Sequence, residues 1–228
     1  MKNLRLGTFA GISVFLHWTF LVMMGGFFLF FLTKGGSIFA AVAGVALVGA
    51  AFVCVILHEY GHALMARRFG IPTIDITMYP IGGIARLKSM PKDPAQEFLI
   101  AIAGPAVNLG LAALLYAVNS ARGIPMDLAS VLGSQTTVLG LLTWINLAMA
   151  GFNMLPAFPM DGGRVLRAIL ASRMGHARGT QIAGMVGMGM AVLFASFGLL
   201  SMNFILVFIG VFVFLGAKHE VQQAVGTA

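Results

Sequence analysis

The chain has 228 residues, of which 59% are hydrophobic and only 9% charged, against about 25% charged in ordinary globular proteins. No soluble domain of this length could hide so much apolar surface, so a lipid bilayer must cover it. The net charge of +7 does not indicate nucleic acid, because the basic residues sit at the ends of apolar runs, as topology signals do. The single cysteine, Cys54, excludes an internal disulfide.

Apolar runs of about 20 residues place the membrane spans. The first, Phe9–Leu32, follows Lys2 and Arg5 and so resembles the start of a secretory signal. It is long enough to span, and no small-x-small cleavage site follows Phe31, so it reads as a retained first helix. The second runs from Ile38 to Met65. After it, Ile71–Leu87 carries β-branched residues, Pro72, Pro80 and the pair Gly82-Gly83, which read as short strands with a turn. Backbone of that kind is tolerated at membrane depth only where protein or a water-filled cavity meets it. The third and fourth spans are Phe98–Ala121 and Val138–Leu155. From Thr180 to Ala217 the chain is apolar throughout, roughly 57 Å if helical and too long for one crossing. The polar pause Ser201-Met202-Asn203 divides it in two.

The expectation is an all-α polytopic membrane protein, residues 1–228 forming one membrane-embedded domain. It has about six transmembrane helices and a short strand-containing, membrane-associated segment after the second. With both termini on one side, that side carries Lys2, Arg5, Arg67, Arg68, Arg86, Lys88, Lys92, Arg164, Arg167, Arg173, Arg178 and Lys218, and the other only Lys34 and Arg122. Both termini are therefore expected in the cytoplasm.

The chemistry is concentrated in His58-Glu59-Tyr60-Gly61-His62, an H-E-x-x-H pattern near the cytoplasmic end of the second helix. Residues four apart share a helix face, so both imidazoles can hold one Zn²⁺ while Glu59 reaches a water beside it. Zinc brings the pKa of such a water to about 7. Three ionisable residues in lipid would be costly without a function. If Arg67 and Arg68 mark the interface, the two histidines lie roughly 8–14 Å below it.

Catalytic zinc takes three protein ligands, and Asp161 is the candidate for the third. It lies in Asn153-Met-Leu-Pro-Ala-Phe-Pro-Met-Asp-Gly-Gly163, where Pro156 and Pro159 break the fourth helix and Gly162-Gly163 allow an unusual backbone path. The competing reading is an N-cap for the helix that follows. Cys54 competes for the ligand role because residues 54, 58 and 62 share a face. His17, beside Trp18, sits near the headgroups or behind the site, and His176 and His219 fall in solvated connections. Asn108 and Asn146 either line the site or bond neighbouring helices. Met185, Met188 and Met190 among glycines read as packing rather than as a copper site.

H-E-x-x-H in one membrane helix and N-x-x-P-x-x-x-x-D-G after a later one resemble the site-2 protease family of intramembrane metalloproteases. Gly104-Pro105-Ala106-Val107-Asn108 is similar to that family's G-P-x-x-N, and Gly11–His17 and Gly82-Gly83 also fit. Phe158 and Met160 depart from the commoner proline and leucine, and no PDZ or CBS module is recognisable. The resemblance implies one zinc per chain on His58, His62 and Asp161, Glu59 as general base, and Asn153 beside the substrate. It also implies membrane-spanning protein substrates, cut in or near their transmembrane segments in regulated intramembrane proteolysis. The rivals are a membrane zinc transporter, which has no need of Glu59, and a catalytically inactive binding partner, which has no need of the full set. The substrate's identity and the oligomeric state are not legible.

Overall fold

A computed structural model describes residues 3–89, 91, 93–124 and 137–226; Lys2 and Lys92 of the charge asymmetry lie outside them. In chain order the elements are β1 (Leu4–Phe9), β2 (Ile12–Leu16), α1 (Trp18–Gly35), α2 (Ile38–Arg68), β3 (Thr73–Tyr79) and β4 (Gly82–Leu87). Then come α3 (Pro94–Ala121), α4 (Val138–Asn153), α5 (Asp161–Met174), α6 (His176–Leu200) and α7 (Phe204–Gly226). They fall into two compact units, one of Met1–Ser89 and Ala106–Met149, the other of Met90–Pro105 and Ala150–Ala228.

In the first unit the expected helix Phe9–Leu32 is corrected. Residues 4–16 form a β-hairpin and the helix begins only at Trp18. Ala10 and Gly11 turn the chain with φ of 49° and 78°, a path no helix takes. Ile12 and Val14 alternate into the core. His17 then starts α1 as its N-cap, its ring accepting from the Thr19 N–H at 3.4 Å. Apolar composition hid these strands because the helix that follows them, Trp18–Gly35, is strongly apolar and the run reads as continuous with it.

The strands form one sheet in the order β1-β2-β3-β4. The β1–β2 and β3–β4 pairs are antiparallel hairpins, and β2 runs parallel to β3 with Ser13 opposite Asp75. A parallel pair needs a crossover, which the α1–α2 hairpin supplies. Ile12, Phe20, Ala63, Ile76 and Met78 pack as the core between sheet and helices. The Tyr60 hydroxyl donates to the carbonyls of Phe9 (3.0 Å) and Ile12 (3.2 Å), and Arg67 to that of Ala10 (2.8 Å). The end of α2 that carries His58 and His62 is thus tied to the hairpin turn. Arg86 pairs across β3–β4 with the buried Asp75, whose hydrogen bond and charge raise the Arg86 pKa.

In the second unit α6 and α7 form an antiparallel hairpin broken at residues 201–203, where the sequence places the break. Asn203 caps α7, its Oδ1 accepting from the Leu206 N–H at 3.2 Å. A Cβ on Gly210 would stand 2.8 Å from the Ala191 carbonyl oxygen, so glycine lets the two helices touch. Met188 and Met190 pack against two hydrophobic clusters, as expected, whereas Met185 is exposed and does not. His219 falls inside α7, beyond the expected end at Ala217.

Among the described residues, five helices are long and apolar enough to cross a membrane by length and composition: Trp18–Gly35, Ile38–Arg68, Pro94–Ala121, His176–Leu200 and Phe204–Ala224. Val138–Asn153 is apolar but shorter. Large apolar side chains such as Phe39 (84% exposed) and Leu200 (86%) stand on the outside, as lipid-facing residues do.

Candidate metal centre

Within α2 the four-residue spacing puts His58 and His62 on one face, both buried. Their Nε2 atoms are 3.1 Å apart, with ring planes at 81°. Two nitrogens at tetrahedral positions about 2.0–2.1 Å from one zinc ion would be roughly 3.3 Å apart. The pair therefore fits a shared metal. His58 turns its other nitrogen, Nδ1, to Asn108 Oδ1, and Asn108 in turn contacts Asn146.

Glu59 leans toward the sheet. A Cβ built on Gly83 of β4 would stand 2.7 Å from Glu59 Cγ and 3.4 Å from its Cδ. Gly83 is therefore needed for close approach, and the glycine pair seen in the sequence has a specific reason at this position. If Glu59 is the general base that the H-E-x-x-H pattern implies, Gly83→Ala is expected to push its carboxylate aside and slow turnover while zinc stays bound. Misplacing a reacting group by about 1 Å costs on the order of 10²-fold, and turnover with zinc content on one preparation checks it.

Asp161 opens α5 and is buried. The cap position belongs to Met160, which makes no side-chain cap bond, so the N-cap reading of Asp161 is not the one adopted. Gly162 and Gly163 do not adopt an unusual path, having no positive φ. Their need is space: a Cβ on Gly162 would overlap the Leu155 carbonyl oxygen. Asn153 is the last residue of α4 and half-buried.

Among the described residues, His58, His62 and Asp161 are a group that could hold a metal ion, each offering one ligand atom within 4.8 Å of the others. Two nitrogens and a carboxylate oxygen are a donor set suited to zinc. Cys54 is outside this group; its Sγ takes an N–H from Asn146 at 3.2 Å. His17 caps α1 and stacks on Tyr79 at 4.8 Å. His176, half exposed, lies 3.9 Å from the Glu97 carboxylate.

Sequence reasoning missed one cluster altogether. Arg167 is buried, donating to Glu97 at 2.6 and 2.8 Å and to Glu220 at 2.6 Å, with its guanidinium 4.9 Å above the Phe158 ring. It braces α5 from a distance of 70 and 53 residues in sequence. The only signal was the rarity of carboxylates in so apolar a chain.

A model of peptidase family M50 matches residues 46–131 and 124–195. A zinc metalloprotease of Methanocaldococcus jannaschii is 39% identical over 221 residues, covering 96% of this chain and 60% of the relative. The solved structure of a site-2 protease from Methanocaldococcus jannaschii is 38% identical, with a TM-score of 0.68 over 96% of this chain and 95% of that one. The chain spans about 60% of the length of the curated relatives it matches.

Proposed function

The chain belongs to peptidase family M50, and from that premise we propose that it is an intramembrane zinc endopeptidase acting on membrane-tethered proteins. The observation that carries the reading is the His58–His62 pair, with Nε2 atoms 3.1 Å apart on the helix that also presents Glu59. The ligands are His58, His62 and Asp161, holding one zinc ion per chain. Zinc held there supplies Lewis-acid polarisation of the scissile carbonyl and lowers the pKa of water. Glu59 accepts the proton of the attacking water and returns it to the leaving amine. Asn153 donates its amide N–H to the scissile carbonyl. A substrate helix must open locally before its carbonyls are free, and the edge strand β4, with Gly83 against Glu59, offers main-chain groups to the unwound segment.

In this reading residues 1–228 are one membrane domain with six crossings. Helix α4 is the sixth, rising about 24 Å against roughly 30 Å of hydrocarbon. Both termini are cytoplasmic, in keeping with the lysine and arginine asymmetry.

The ligand assignment is tested by metal retention. Asp161→Asn is expected to lose zinc to a mild chelator during dialysis, whereas Cys54→Ser keeps it. The opposite pattern would remove Asp161 from the ligand set and restore Cys54.

A further inference from the structure

We infer that Asn108, aligned by Asn146, is a positioning residue that fixes the tautomer of His58 and so presents its Nε2 lone pair to the metal. The inference rests on the zinc reading above. The orientation of the whole chain of contacts follows from one group that can only accept, the backbone carbonyl of Leu142. Asn146 Nδ2 lies 2.8 Å from that oxygen and 3.2 Å from Cys54 Sγ, so the NH₂ end of the Asn146 amide is committed there. Its Oδ1 must then face Asn108, whose Nδ2 donates to it at 2.7 Å. Asn108 Oδ1 is left facing His58 Nδ1. A carbonyl oxygen cannot donate, so the imidazole proton must sit on Nδ1. Nε2 is thereby unprotonated on the side where His62 Nε2 stands 3.1 Å away.

Reversing Asn146 would set its Oδ1 against the Leu142 carbonyl oxygen, and reversing Asn108 alone would set its Oδ1 against Asn146 Oδ1, two acceptors face to face in either case. Asn108 and Asn146 are both fully buried, so no water is at hand to relieve the clash. Metal-binding histidines commonly hand their second N–H to a carboxylate or backbone carbonyl. Here a neutral amide takes that place, which avoids burying another charge at membrane depth. Asn146 acts one step further back, by keeping the Asn108 oxygen turned toward the ring. Helix-to-helix bonding alone would require neither this direction nor any effect on His58.

The test uses the full chain in detergent, with histidine ¹⁵N-labelled and zinc removed. In wild type, His58 is expected to carry its proton on Nδ1, with Nε2 bare. In Asn108→Ala that fixed assignment is lost, and zinc affinity by chelator competition falls about 10–100-fold. Asn146→Ala weakens zinc in the same direction by a smaller factor. A wild-type spectrum with the proton on Nε2 overturns the inference, and this readout needs no variant to fold. So does an Asn108→Ala protein that is folded, by its thermal transition, and binds zinc as wild type does. Failure of wild type itself to bind zinc would instead sink the metal reading on which this one rests.

Discussion

Replacing Glu59 with Gln is expected to abolish detectable peptide-bond hydrolysis while zinc content stays at about one ion per chain. The amide keeps the size of the carboxylate, so the approach of Gly83 to the Glu59 side chain is undisturbed, but it cannot accept a proton. Loss of a positioned general base costs about 10²–10⁴-fold by itself. Cleavage by purified, detergent-solubilised variant, with zinc measured on the same sample, is the check. The result also separates hydrolysis from transport. A zinc carrier using His58, His62 and Asp161 would keep its flux in Glu59→Gln, whereas a protease loses its activity. Retained cleavage would falsify the assignment of Glu59.

Most of the candidate metal centre was legible because chelation is a local constraint. Two imidazoles four residues apart on a helix announce their shared face in the sequence itself. Asp161 could be found by elimination, since an apolar chain offers few other buried carboxylates. The hairpin at the N-terminus was not legible for the opposite reason. Ile12 and Val14 alternate into the core, but in a chain this apolar the alternation is hidden under residues that would suit a membrane helix equally well. Gly11 and Ser13, unfavourable inside a helix, were the signals available. Asn108 and Asn146 could be noticed but not placed, because their roles depend on pairing between residues 38 and 92 positions apart. The Arg167 brace had the same obstacle: each charge read singly looks like an interface marker, and only the fold joins them.

Asn153→Ala is expected to leave zinc content unchanged and to slow turnover by about 10²–10³-fold, the usual cost of removing one donor to a developing oxyanion. The residue ends α4, and eight positions separate it from Asp161, so its neutral amide is not needed to hold the metal electrostatically. If Asn153 faces the substrate, its value lies in timing. An N–H aimed at the scissile carbonyl strengthens its bond as negative charge gathers on that oxygen, so the loss should fall on kcat more than on KM. A structural amide behaves differently: its removal lowers the thermal transition and leaves turnover normal at low temperature. Measuring rate, zinc content and thermal stability on one preparation distinguishes the two. Slow turnover with an unchanged transition places Asn153 at the substrate, and normal turnover with a lowered transition returns it to the scaffold at the end of α4.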